Sequence, residues 1–545
     1  PFFFSNHTPP TAILSGVVGS EMCIRDSFIS GTQVSMLKKT LITTFTFLLS
    51  FQSLTEVKEL TILHTNDLHA HLFPRIAPWI SESRKIGGFA NLATLVKQEK
   101  QSNPSAILID AGDYFSGPYV STLTEGEAVI KSMNYLGIDA ACIGNHEFDH
   151  GWDNMLEQIK EAEFPILNGN IFYEGTDKLV WDNPYIILER EGLRIGIIGL
   201  HGKFAFYDTT NVKMTEGIEA RDEEKYLRQY IEELEPITDL IILSVHQGMP
   251  ARQSTIGLTD VERNLYKDIL LAQNVPGVDV IVTGHAHQGT DKALVSNGTI
   301  IVSTNATSTE LGKLQIKFDT EKNRIVSHSN QLITIYDDEV EDDTDMLREI
   351  TYWQQEVDKI ASVPIASSTK KLVRAYGKES NMGNLFTDAI AAFDERIDIA
   401  VMNSGGLRQD IDAGVISKGD LISAFPFPNT IVMTKLKGSQ IKKIFDHAAG
   451  MTNGILQVSK NAKYTFSPRN KVLQIWIKGQ LINNDQDYWV AAPNFVTQGG
   501  DGYLEFQNSI EYIDSGVLII DEVENFLKER KLYEPKHEGR VQAVE

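Results

Sequence analysis

The chain has 545 residues, of which 42% are hydrophobic and 23% are charged, and its formal net charge at pH 7 is −23. This length predicts two domains, with room for a third, in a chain of globular composition. The acidic balance excludes a nucleic-acid polymer as a bulk partner, because such a polymer is bound by a basic face, but it leaves open a small phosphate ligand. The two cysteines, Cys23 and Cys142, are too few for a disulfide framework or a zinc finger.

The N-terminal region divides at Met36. Residues 36–54 carry two lysines close to Met36 and continue as a mostly apolar run, which predicts a secretory signal peptide and a periplasmic or secreted protein. The run is too short to span a membrane as a mature helix, and no cysteine follows it, so no stable membrane anchor is expected. Residues 1–35 show no periodicity, and we interpret them as an artefactual or disordered leader.

Short apolar runs alternate with helical patterns from Leu60 onward. Six of these runs end in polar residues, namely LTILHTND, AILIDAGD, AACIGNHE, RIGIIGLHG, LIILSVHQG and VDVIVTGHAH. Buried strands joined by helices predict an α/β layered sheet, with active groups in the loops at the carboxyl ends of the strands. We expect this first domain to span residues 58–335.

The second half of the chain begins after an acidic stretch. Residues 336–362 combine that stretch with a helical pattern and are expected to form a linker helix. A second, α+β domain is expected over residues 363–530, with helix-like segments NMGNLFTDAIAAF and LKGSQIKKIFDHAAG and the strand-to-turn segment IDIAVMNSGGLRQDI. Residues 531–545 are expected to form a tail.

The predicted strand ends of the first domain carry side chains that can bind metal ions. In chain order they are Asp67 and His69, Asp113, Asn145 to Asp149, His246, and His285 and His287. In an extended segment residues two apart point to the same side, so D-x-H and H-x-H are each expected to aim a pair of ligands into one site. Nitrogen and oxygen donors without a thiolate suit Zn, Mn or Fe, and a shared carboxylate suits a dinuclear centre for phosphoryl transfer.

Each of these motifs alone has a structural explanation, and Asp113, for example, could cap a helix or stabilise a turn. Their order is more informative. D-x-H, GD, GNHE, a histidine and GHxH resemble the motif series of calcineurin-like metallophosphoesterases. The domain that follows narrows the resemblance to the 5′-nucleotidase family over roughly residues 58 to 530.

The resemblance implies a fold and a metal centre. The fold is an α/β, four-layer β-sandwich with flanking helices, followed by a linker helix and a second α+β domain that binds substrate. The cofactors are two divalent metal ions, such as Zn or Mn, that share one carboxylate. The implied ligands are Asp67, His69, Asp113 and His287 for one ion, and Asp113, Asn145, His246 and His285 for the other.

The resemblance also makes His146 and Asp149 a catalytic dyad. A protonated imidazole beside the transferring phosphoryl group stabilises the charge that grows in the transition state. A carboxylate three residues later can hold that imidazole by a hydrogen bond and keep it protonated. Proton donation by His146 to the leaving group is left open.

Substrate contacts are implied for the second domain. Two Phe would sandwich a nucleobase, an Asp would contact the ribose hydroxyls, Arg would offer a fork of donors to phosphate, and Asn would also contact the substrate. The expected contacts are Arg374, Asn403, Gly406, Arg408, Phe427, Phe495 and Asp501. Pro428 departs from the family pattern, which commonly has Gly there, and the match of Arg374 requires about two inserted residues.

The expected function is hydrolysis of a nucleoside 5′-monophosphate to nucleoside and phosphate by in-line attack of a metal-bridging hydroxide. UDP-sugar hydrolase, 2′,3′-cyclic-nucleotide phosphodiesterase/3′-nucleotidase and NAD pyrophosphatase activities remain open, because all use the same metals. A non-catalytic nucleotide-binding protein is a further alternative, although such a protein would be expected to have lost ligands that this chain retains.

Overall fold

A computed structural model describes residues 57–247, 258–451, 454–467 and 471–544. All of them belong to the structural unit formed by residues 55–545. The predicted leader and signal peptide lie outside the described residues. Within the described ranges, no helix combines the length and the apolar character needed to cross a membrane.

The first half of the described chain alternates strands and helices. Its strands are β1 (Val57–Thr65), β2 (Arg75–Ala77), β3 (Ser81–Ile86), β4 (Ile107–Asp110), β5 (Ala140–Cys142), β6 (Ile166–Leu167), β7 (Ile171–Tyr173), β8 (Tyr185–Arg190), β9 (Leu193–His201), β10 (Ile218–Ala220), β11 (Leu240–His246), β12 (Val280–Gly284), β13 (Leu294–Ser296), β14 (Thr299–Val302), β15 (Glu310–Asp319) and β16 (Arg324–Thr334). Its helices are α1 (Phe89–Ser102), α2 (Tyr119–Leu123), α3 (Glu127–Met133), α4 (Trp152–Glu161), α5 (Lys203–Thr209), α6 (Glu223–Leu234), α7 (Asp260–Asn264) and α8 (Tyr266–Asn274).

Two six-stranded sheets pack face to face in this half. Their strand orders are β16-β15-β1-β4-β5-β6 and β13-β14-β12-β11-β9-β8. The central strands β1, β4 and β5 are parallel in the first sheet, and β9, β11, β12 and β14 are parallel in the second. Alternate aliphatic residues of both sheets share one core, including Ile62, Ile109, Ile197, Ile242 and Val282. Since side chains alternate across a strand, the residues between them face outwards.

Helices cover both outer faces of the sandwich. Leu63 and Leu108, which adjoin the inward-facing Ile62 and Ile109, pack in a core with residues of α1, α3 and α4. Leu243 of the other sheet packs with residues of α6 and α8. The layers are therefore helix, sheet, sheet and helix, which confirms the predicted α/β four-layer sandwich.

A recurring aspartate joins neighbouring strands at their amino ends. Each aspartate directly precedes a strand, donates its own N–H to a carbonyl of the adjacent strand and accepts an N–H from the same residue with its carboxylate. The pairs are Asp139 with Leu108, Asp239 with Arg194, Asp279 with Ile241, and Asp398 with Trp489.

Asp279 differs from the other three aspartates in its surroundings. The others form ion pairs, for example Asp398 with Lys478 at 2.6 Å. In the described part of the chain, no basic side chain lies within ion-pair distance of Asp279. Burial raises the pKa of this carboxyl to about 6, although the N–H of Ile241 opposes the shift. Asp279 therefore resists ionisation in the folded chain.

Helix α9 (Thr344–Ala361) lies between the halves, within the range predicted as a linker. It begins where the carboxylate of Asp343 accepts the N–H of Met346 at 3.0 Å, as an N-cap does. Met346, Ile350 and Val357 of α9 pack into the core of the first half. The helix therefore packs against the sandwich as well as connecting it to the second half.

The described residues of the second half form three sheets, with helices between their strands. Its strands are β17 (Pro364–Ser368), β18 (Ile399–Asn403), β19 (Gly414–Ser417), β20 (Thr430–Lys437), β21 (Leu456–Val458), β22 (Ala462–Ser467), β23 (Lys471–Ile477), β24 (Gln480–Leu481), β25 (Asp487–Pro493), β26 (Glu511–Leu518), β27 (Leu532–Tyr533) and β28 (Val541–Ala543). Its helices are α10 (Asn381–Ala392), α11 (Lys418–Ala424), α12 (Gly438–Ala449), α13 (Asn494–Thr497) and α14 (Ile519–Arg530). The largest sheet has the order β21-β18-β25-β20-β26.

The segment after residue 530 does not form the tail that the sequence analysis expects. Strand β27 pairs with β17, and β28 pairs with β22, both in parallel. Between them, the buried guanidinium of Arg540 pairs with Asp388 at 2.7 Å. The last described residues therefore complete two sheets of the second half, a role set by long-range pairing that the local sequence pattern does not reveal.

Candidate active site

The predicted ligand-bearing loops meet where the two sheets of the sandwich end. Strands β1, β4 and β5 of the first sheet and β11 and β12 of the second all precede one of these loops. Because parallel strands place their carboxyl ends on one edge, the loops converge there. This edge brings together all of the predicted metal ligands, namely Asp67, His69, Asp113, Asn145, His246, His285 and His287.

The backbone at this edge is left-handed, so the extended geometry predicted for D-x-H and H-x-H was wrong. The φ angle is +52° at Asp67, +46° at His69, +58° at Asp113, +82° at His285 and +51° at His287. Non-glycine residues adopt this region at a cost, and such strained positions concentrate at functional sites. Tight left-handed turns, rather than strand alternation, aim these side chains inwards.

Two glycines leave space for the crowded side chains. A Cβ on Gly144 would lie 2.1 Å from Oδ1 of Asp113, and a Cβ on Gly284 would lie 2.8 Å from Nδ1 of His246. Any side chain at either position would displace a residue of the site. The glycines of GNHE and GHAH are therefore required by close approach.

The first cluster consists of Asp67, His69 and His287. Oδ1 of Asp67 lies 3.8 Å from Nε2 of His69 and 3.4 Å from Nε2 of His287. The two imidazole nitrogens are 2.9 Å apart. Nδ1 of His69 lies 3.0 Å and 2.9 Å from the carbonyl oxygens of Phe115 and Ser116, which can only accept, so Nδ1 carries the proton. The lone pair of Nε2 therefore faces the other two members of the cluster.

The second cluster consists of Asp113, His246, His285 and Asn145. Oδ2 of Asp113 lies 3.1 Å from Nε2 of His246, and Nδ1 of His285 lies 2.8 Å from Oδ1 of Asn145. His246 donates from Nδ1 to the carbonyl of Ala111 at 2.7 Å. The histidines of H-x-H thus belong to different clusters, His287 to the first and His285 to the second.

Asp113 lies between the two clusters. Its carboxylate is close to His69 on one side and to His246 on the other, and it accepts the backbone N–H of His146 at 2.9 Å. Burial opposes ionisation, but the charges of His246 and His146 lower the pKa of Asp113 well below its usual range. An ionised carboxylate at this position can contact a cation in each cluster.

The donors fit a pair of divalent cations. Nε2 of His246 is buried 3.1 Å from Oδ2 of Asp113, without the geometry of a hydrogen bond to any described residue, and Nε2 of His69 and of His287 face each other. A bound cation would satisfy these lone pairs. The other ring nitrogens of His69 and His246 donate to backbone carbonyls, as is usual for metal-ligating histidines. Within the described clusters the donors are nitrogen and oxygen only, a set that suits Zn, Mn or Fe.

The predicted dyad residues are in direct contact. Nδ1 of His146 lies 2.7 Å from Oδ2 of Asp149, and that carboxylate also accepts the hydroxyl of Ser116. Nε2 of His146 faces the second half of the chain, where Nη2 of Arg408 lies 2.6 Å away. Burial lowers the pKa of His146, but the charges of Asp149 and Asp113 outweigh it and raise the pKa above its usual value.

Glu147 was not assigned a role from the sequence, yet it organises the loop that carries Asp113. Its buried carboxylate accepts the backbone N–H groups of Asp113 at 3.0 Å, Tyr114 at 2.9 Å, Phe115 at 3.0 Å and Gly144 at 2.5 Å. These bonds hold the GD turn against the GNHE turn. The position of Glu147 within GNHE indicated that it lies near the metal ligands. Only the fold shows which backbone N–H groups donate to its carboxylate.

Most of the predicted substrate contacts line one cavity of about 370 Å³ that opens on the second cluster. From the second half they are Asn403, Gly406, Arg408, Phe427, Phe495 and Asp501. Arg374 is the exception and lines a neighbouring cavity instead. The cavity wall also includes Tyr376 and Asn211, which belong to no motif in the sequence, and Asn429, the last residue of FPFPN.

Contacts in the wall link the predicted substrate residues to the dyad. The Phe427 ring stacks on the imidazole of His146, with centroids 5.7 Å apart and an angle of 26°. The Arg408 guanidinium lies 5.4 Å from the centroid of the same Phe ring. Nδ2 of Asn403 donates to Oδ2 of Asp501 at 2.9 Å. Aromatic, cationic and polar groups of the second half therefore face the first half across one space.

Two known protein families match different parts of the chain. Residues 60–289 match the calcineurin-like phosphoesterase family, and residues 361–508 match the 5′-nucleotidase C-terminal domain. The 5′-nucleotidases of Bos taurus and Homo sapiens are each 30% identical to the chain; the alignments cover 89% of the chain and 91% and 90% of the relatives.

Among solved structures, a 5′-nucleotidase precursor from Thermus thermophilus is similar, with a TM-score of 0.78 and 25% identity. The similarity covers 89% of this chain and 99% of that one. Sequence and fold therefore agree over both halves. The chain belongs to the 5′-nucleotidase family and is a metal-dependent phosphoester hydrolase.

Proposed function

We propose that the chain hydrolyses nucleoside 5′-monophosphates to a nucleoside and inorganic phosphate. The observation that carries the proposal is the cavity that runs from Asp113 and His285 in the first half to Phe427 and Phe495 in the second, past Arg408. A nucleotide has an anionic phosphate at one end and a planar base at the other. The wall of one cavity offers a metal-binding cluster, a guanidinium and aromatic rings, which suit these two ends of a nucleotide.

The proposed metal ligands divide between the two clusters, with Asp113 shared. They are Asp67, His69, Asp113 and His287 for one ion and Asp113, Asn145, His246 and His285 for the other. A pair of divalent cations, when bound, activates water as a nucleophile near neutral pH and neutralises charge on the phosphoryl oxygens. The left-handed turns and the bonds from Glu147 hold these ligands in place before the substrate arrives.

His146 and Arg408 are proposed to bind the phosphoryl group together. Nη2 of Arg408 can only donate, so over 2.6 Å it donates to an unprotonated Nε2 of His146. Once Nε2 is protonated the two donors repel each other, and an oxygen anion that enters between them accepts a hydrogen bond from each. Asp149 holds the imidazole through Nδ1, which directs Nε2 towards the cavity. Both donors then act on the charge that develops during phosphoryl transfer. The same Nε2–H can protonate the leaving oxygen.

The nucleoside is proposed to bind in the second half. The ring faces of Phe427 and Phe495 offer stacking surfaces that accept any base, because every base has a π face. The carboxylate of Asp501 can accept hydrogen bonds from the ribose hydroxyls, and Asn403 orients that carboxylate from 2.9 Å away. At Gly406, a Cβ would lie 3.3 Å from Oδ1 of Asn403, so the absent side chain keeps this wall open.

A panel of metal-loaded assays tests the substrate. Phosphate release from nucleoside 5′-monophosphates is compared with hydrolysis of a UDP-sugar, a 2′,3′-cyclic nucleotide and NAD, each with Mn²⁺ or Zn²⁺. We expect the monophosphates to have the highest kcat/KM. A preference of more than about tenfold for one of the other substrates would contradict the proposal.

Two histidine variants provide the matched control. His146→Ala is expected to lower kcat for a monophosphate by about 100-fold or more, because it removes a donor to the developing charge. His328→Ala removes an exposed imidazole on β16, outside the cavity, and is expected to leave kcat unchanged. Equal activity of both variants would remove His146 from the proposed mechanism.

We also propose that the chain is exported. The support is the segment from Met36, in which two lysines precede an apolar run. Amino-terminal sequencing of the native protein tests this: a mature start near residue 54 is expected, and retention of the apolar run would contradict export by cleavage.

A further inference from the structure

A second cavity of about 830 Å³ adjoins the proposed nucleotide cavity. The two cavities share His287, Tyr376 and Arg408 in their walls. The second cavity extends away from Phe427 and Phe495, towards the hairpin formed by β2 and β3. It therefore adjoins the first metal-binding cluster, through His69 and His287, and neither of the proposed base-binding rings lines it.

The basic side chains in the wall of this cavity differ in how closely acidic side chains approach them. Lys371 forms ion pairs with Asp412 at 3.1 Å and Asp410 at 3.7 Å. Arg374 lies 4.0 Å from Asp410, the limit of an ion pair. In the ranges that the structure describes, no carboxylate lies within that distance of Arg75. The cavity thus retains positive charge in a chain whose net charge is −23.

Arg75 is held in position, with one donor unused. Its Nη2 donates to Oγ1 of Thr307 at 2.6 Å, and its guanidinium lies 5.0 Å from the centroid of the Trp79 ring. Its Nε is buried and has no hydrogen-bond partner among the described residues. Burial and the nearby charge of Arg374 lower the pKa of Arg75 to about 10, so the group remains a cation at neutral pH.

A partly buried cation with an unused N–H donor, in the wall of a cavity, favours an anionic ligand. We propose that this cavity is a subsite for a second phosphate-sized anion, joined to the phosphoryl group at the metal clusters as in a pyrophosphate linkage, and that Arg75 is its main determinant. The inference rests on the proposed function, because it takes the first phosphoryl group to lie between the clusters and Arg408. The linkage between the two phosphate groups would pass His287 and Arg408, which line both cavities.

Product inhibition tests the subsite with inorganic probes. The inhibition constants of inorganic phosphate and inorganic pyrophosphate are measured against hydrolysis of AMP, with Mn²⁺ in excess of the pyrophosphate. In Arg75→Gln we expect the ratio of the phosphate constant to the pyrophosphate constant to fall about tenfold, because only pyrophosphate reaches Arg75. Arg75→Lys keeps the charge but not the fork of donors, and an intermediate ratio is expected.

Arg84→Gln is the matched control, because Arg84 lies on the same hairpin but pairs with Asp338 and Glu339 outside the cavity. In this variant, the ratio of the phosphate constant to the pyrophosphate constant is expected to equal that of the wild type. An unchanged ratio in Arg75→Gln, or the same fall in Arg84→Gln, would overturn the proposal. Calorimetric titration of pyrophosphate into both Arg75 variants gives an answer that does not need turnover. If AMP were not hydrolysed, the proposed function would be wrong. The calorimetric titration would still show whether Arg75 contributes to pyrophosphate binding.

Discussion

Nη2 of Arg408 lies 2.6 Å from Nε2 of His146, although the two residues belong to different halves of the chain. An imidazole nitrogen of the first half and a guanidinium of the second half thus end at the same point of the cavity. Neither group completes this arrangement without the other half. The contact gives a structural reason for a phosphoryl group to be bound where the two halves meet.

The first prediction concerns the fork of donors on Arg408. Arg408→Gln is expected to lower kcat/KM for a nucleoside 5′-monophosphate about 100-fold, since one donor to the developing charge is lost. Arg408→Lys keeps the charge and should recover only part of this loss. Steady-state kinetics measure both effects. Arg396→Gln, which removes an exposed arginine paired with Asp394, should behave as wild type. Full activity in Arg408→Gln would contradict the assigned role.

The second prediction concerns the carboxylate of Glu147. Its two oxygens accept four backbone N–H groups, whereas the amide of Glu147→Gln has one acceptor oxygen and turns an NH₂ group towards donors. We expect a loss of about 3 kcal/mol in the free energy of unfolding, together with weaker metal binding. Denaturant unfolding and metal titration measure these quantities.

The exposed Glu157, which pairs with Lys160, provides the control for that experiment. Glu157→Gln should leave both the stability and the metal affinity close to wild type. A Glu147→Gln protein with unchanged metal affinity would show that the GD turn holds its shape without these bonds.

The third prediction separates base recognition from phosphate recognition. Phe495→Ala is expected to raise KM for AMP about tenfold, because stacking on an aromatic ring is lost. Ribose 5-phosphate has no base, so its KM should change little in the same variant. Tyr352→Ala removes an exposed aromatic ring on α9 as a control. An equal rise in KM for both substrates would mean that Phe495 shapes the cavity rather than contacting the base.

The fourth prediction concerns the pH dependence of folding stability. The folded-state pKa of Asp279 is raised to about 6, above the usual 3.8, so folding loses stability as pH rises from about 4 to 6 and does not regain it above that range. In Asp279→Asn the amide oxygen can still accept the N–H of Ile241, but no ionisation occurs. We expect this variant to match the wild type at pH 4 and to be more stable at pH 7, by about 3 kcal/mol for a rise in the pKa from 3.8 to about 6.

Unfolding curves at both pH values measure this difference. Asp398→Asn is the control, because that carboxylate has the same two backbone bonds but pairs with Lys478 at 2.6 Å. No gain in stability at pH 7 is expected for it. If Asp279→Asn were no more stable than wild type at pH 7, burial would not be penalising this carboxylate.

The sequence predicts the layered sheets and the clustering of ligands because both depend on local patterns. Buried strands give continuous apolar runs, and parallel strands necessarily end on one edge. The motifs at those ends could therefore be assigned to one region before the fold was known. The division of His285 and His287 between two clusters was implied by the family resemblance rather than by their spacing.

Other features depend on geometry that spacing does not encode. The left-handed turn at Asp67 is stabilised by contacts with distant loops, such as the bond from the N–H of Thr307 to the Asp67 carbonyl at 2.7 Å. The four bonds of Glu147 and the position of Arg374 in the second cavity likewise require the tertiary fold. The parallel pairing of β28 with β22 joins segments far apart in the chain. The local pattern of residues 531–545 therefore predicted only a tail.

The proposed function requires two divalent metal ions, which the two clusters and Asp113 between them would hold, for hydrolysis of a nucleoside 5′-monophosphate. Its most direct test is titration of metal-free protein with Mn²⁺ while phosphate release from AMP is followed. The account predicts that activity rises to a plateau at two equivalents of metal per chain, and that Asp113→Asn shows neither the plateau nor the binding of two ions. A plateau at one equivalent, or phosphate release without added metal, would contradict it.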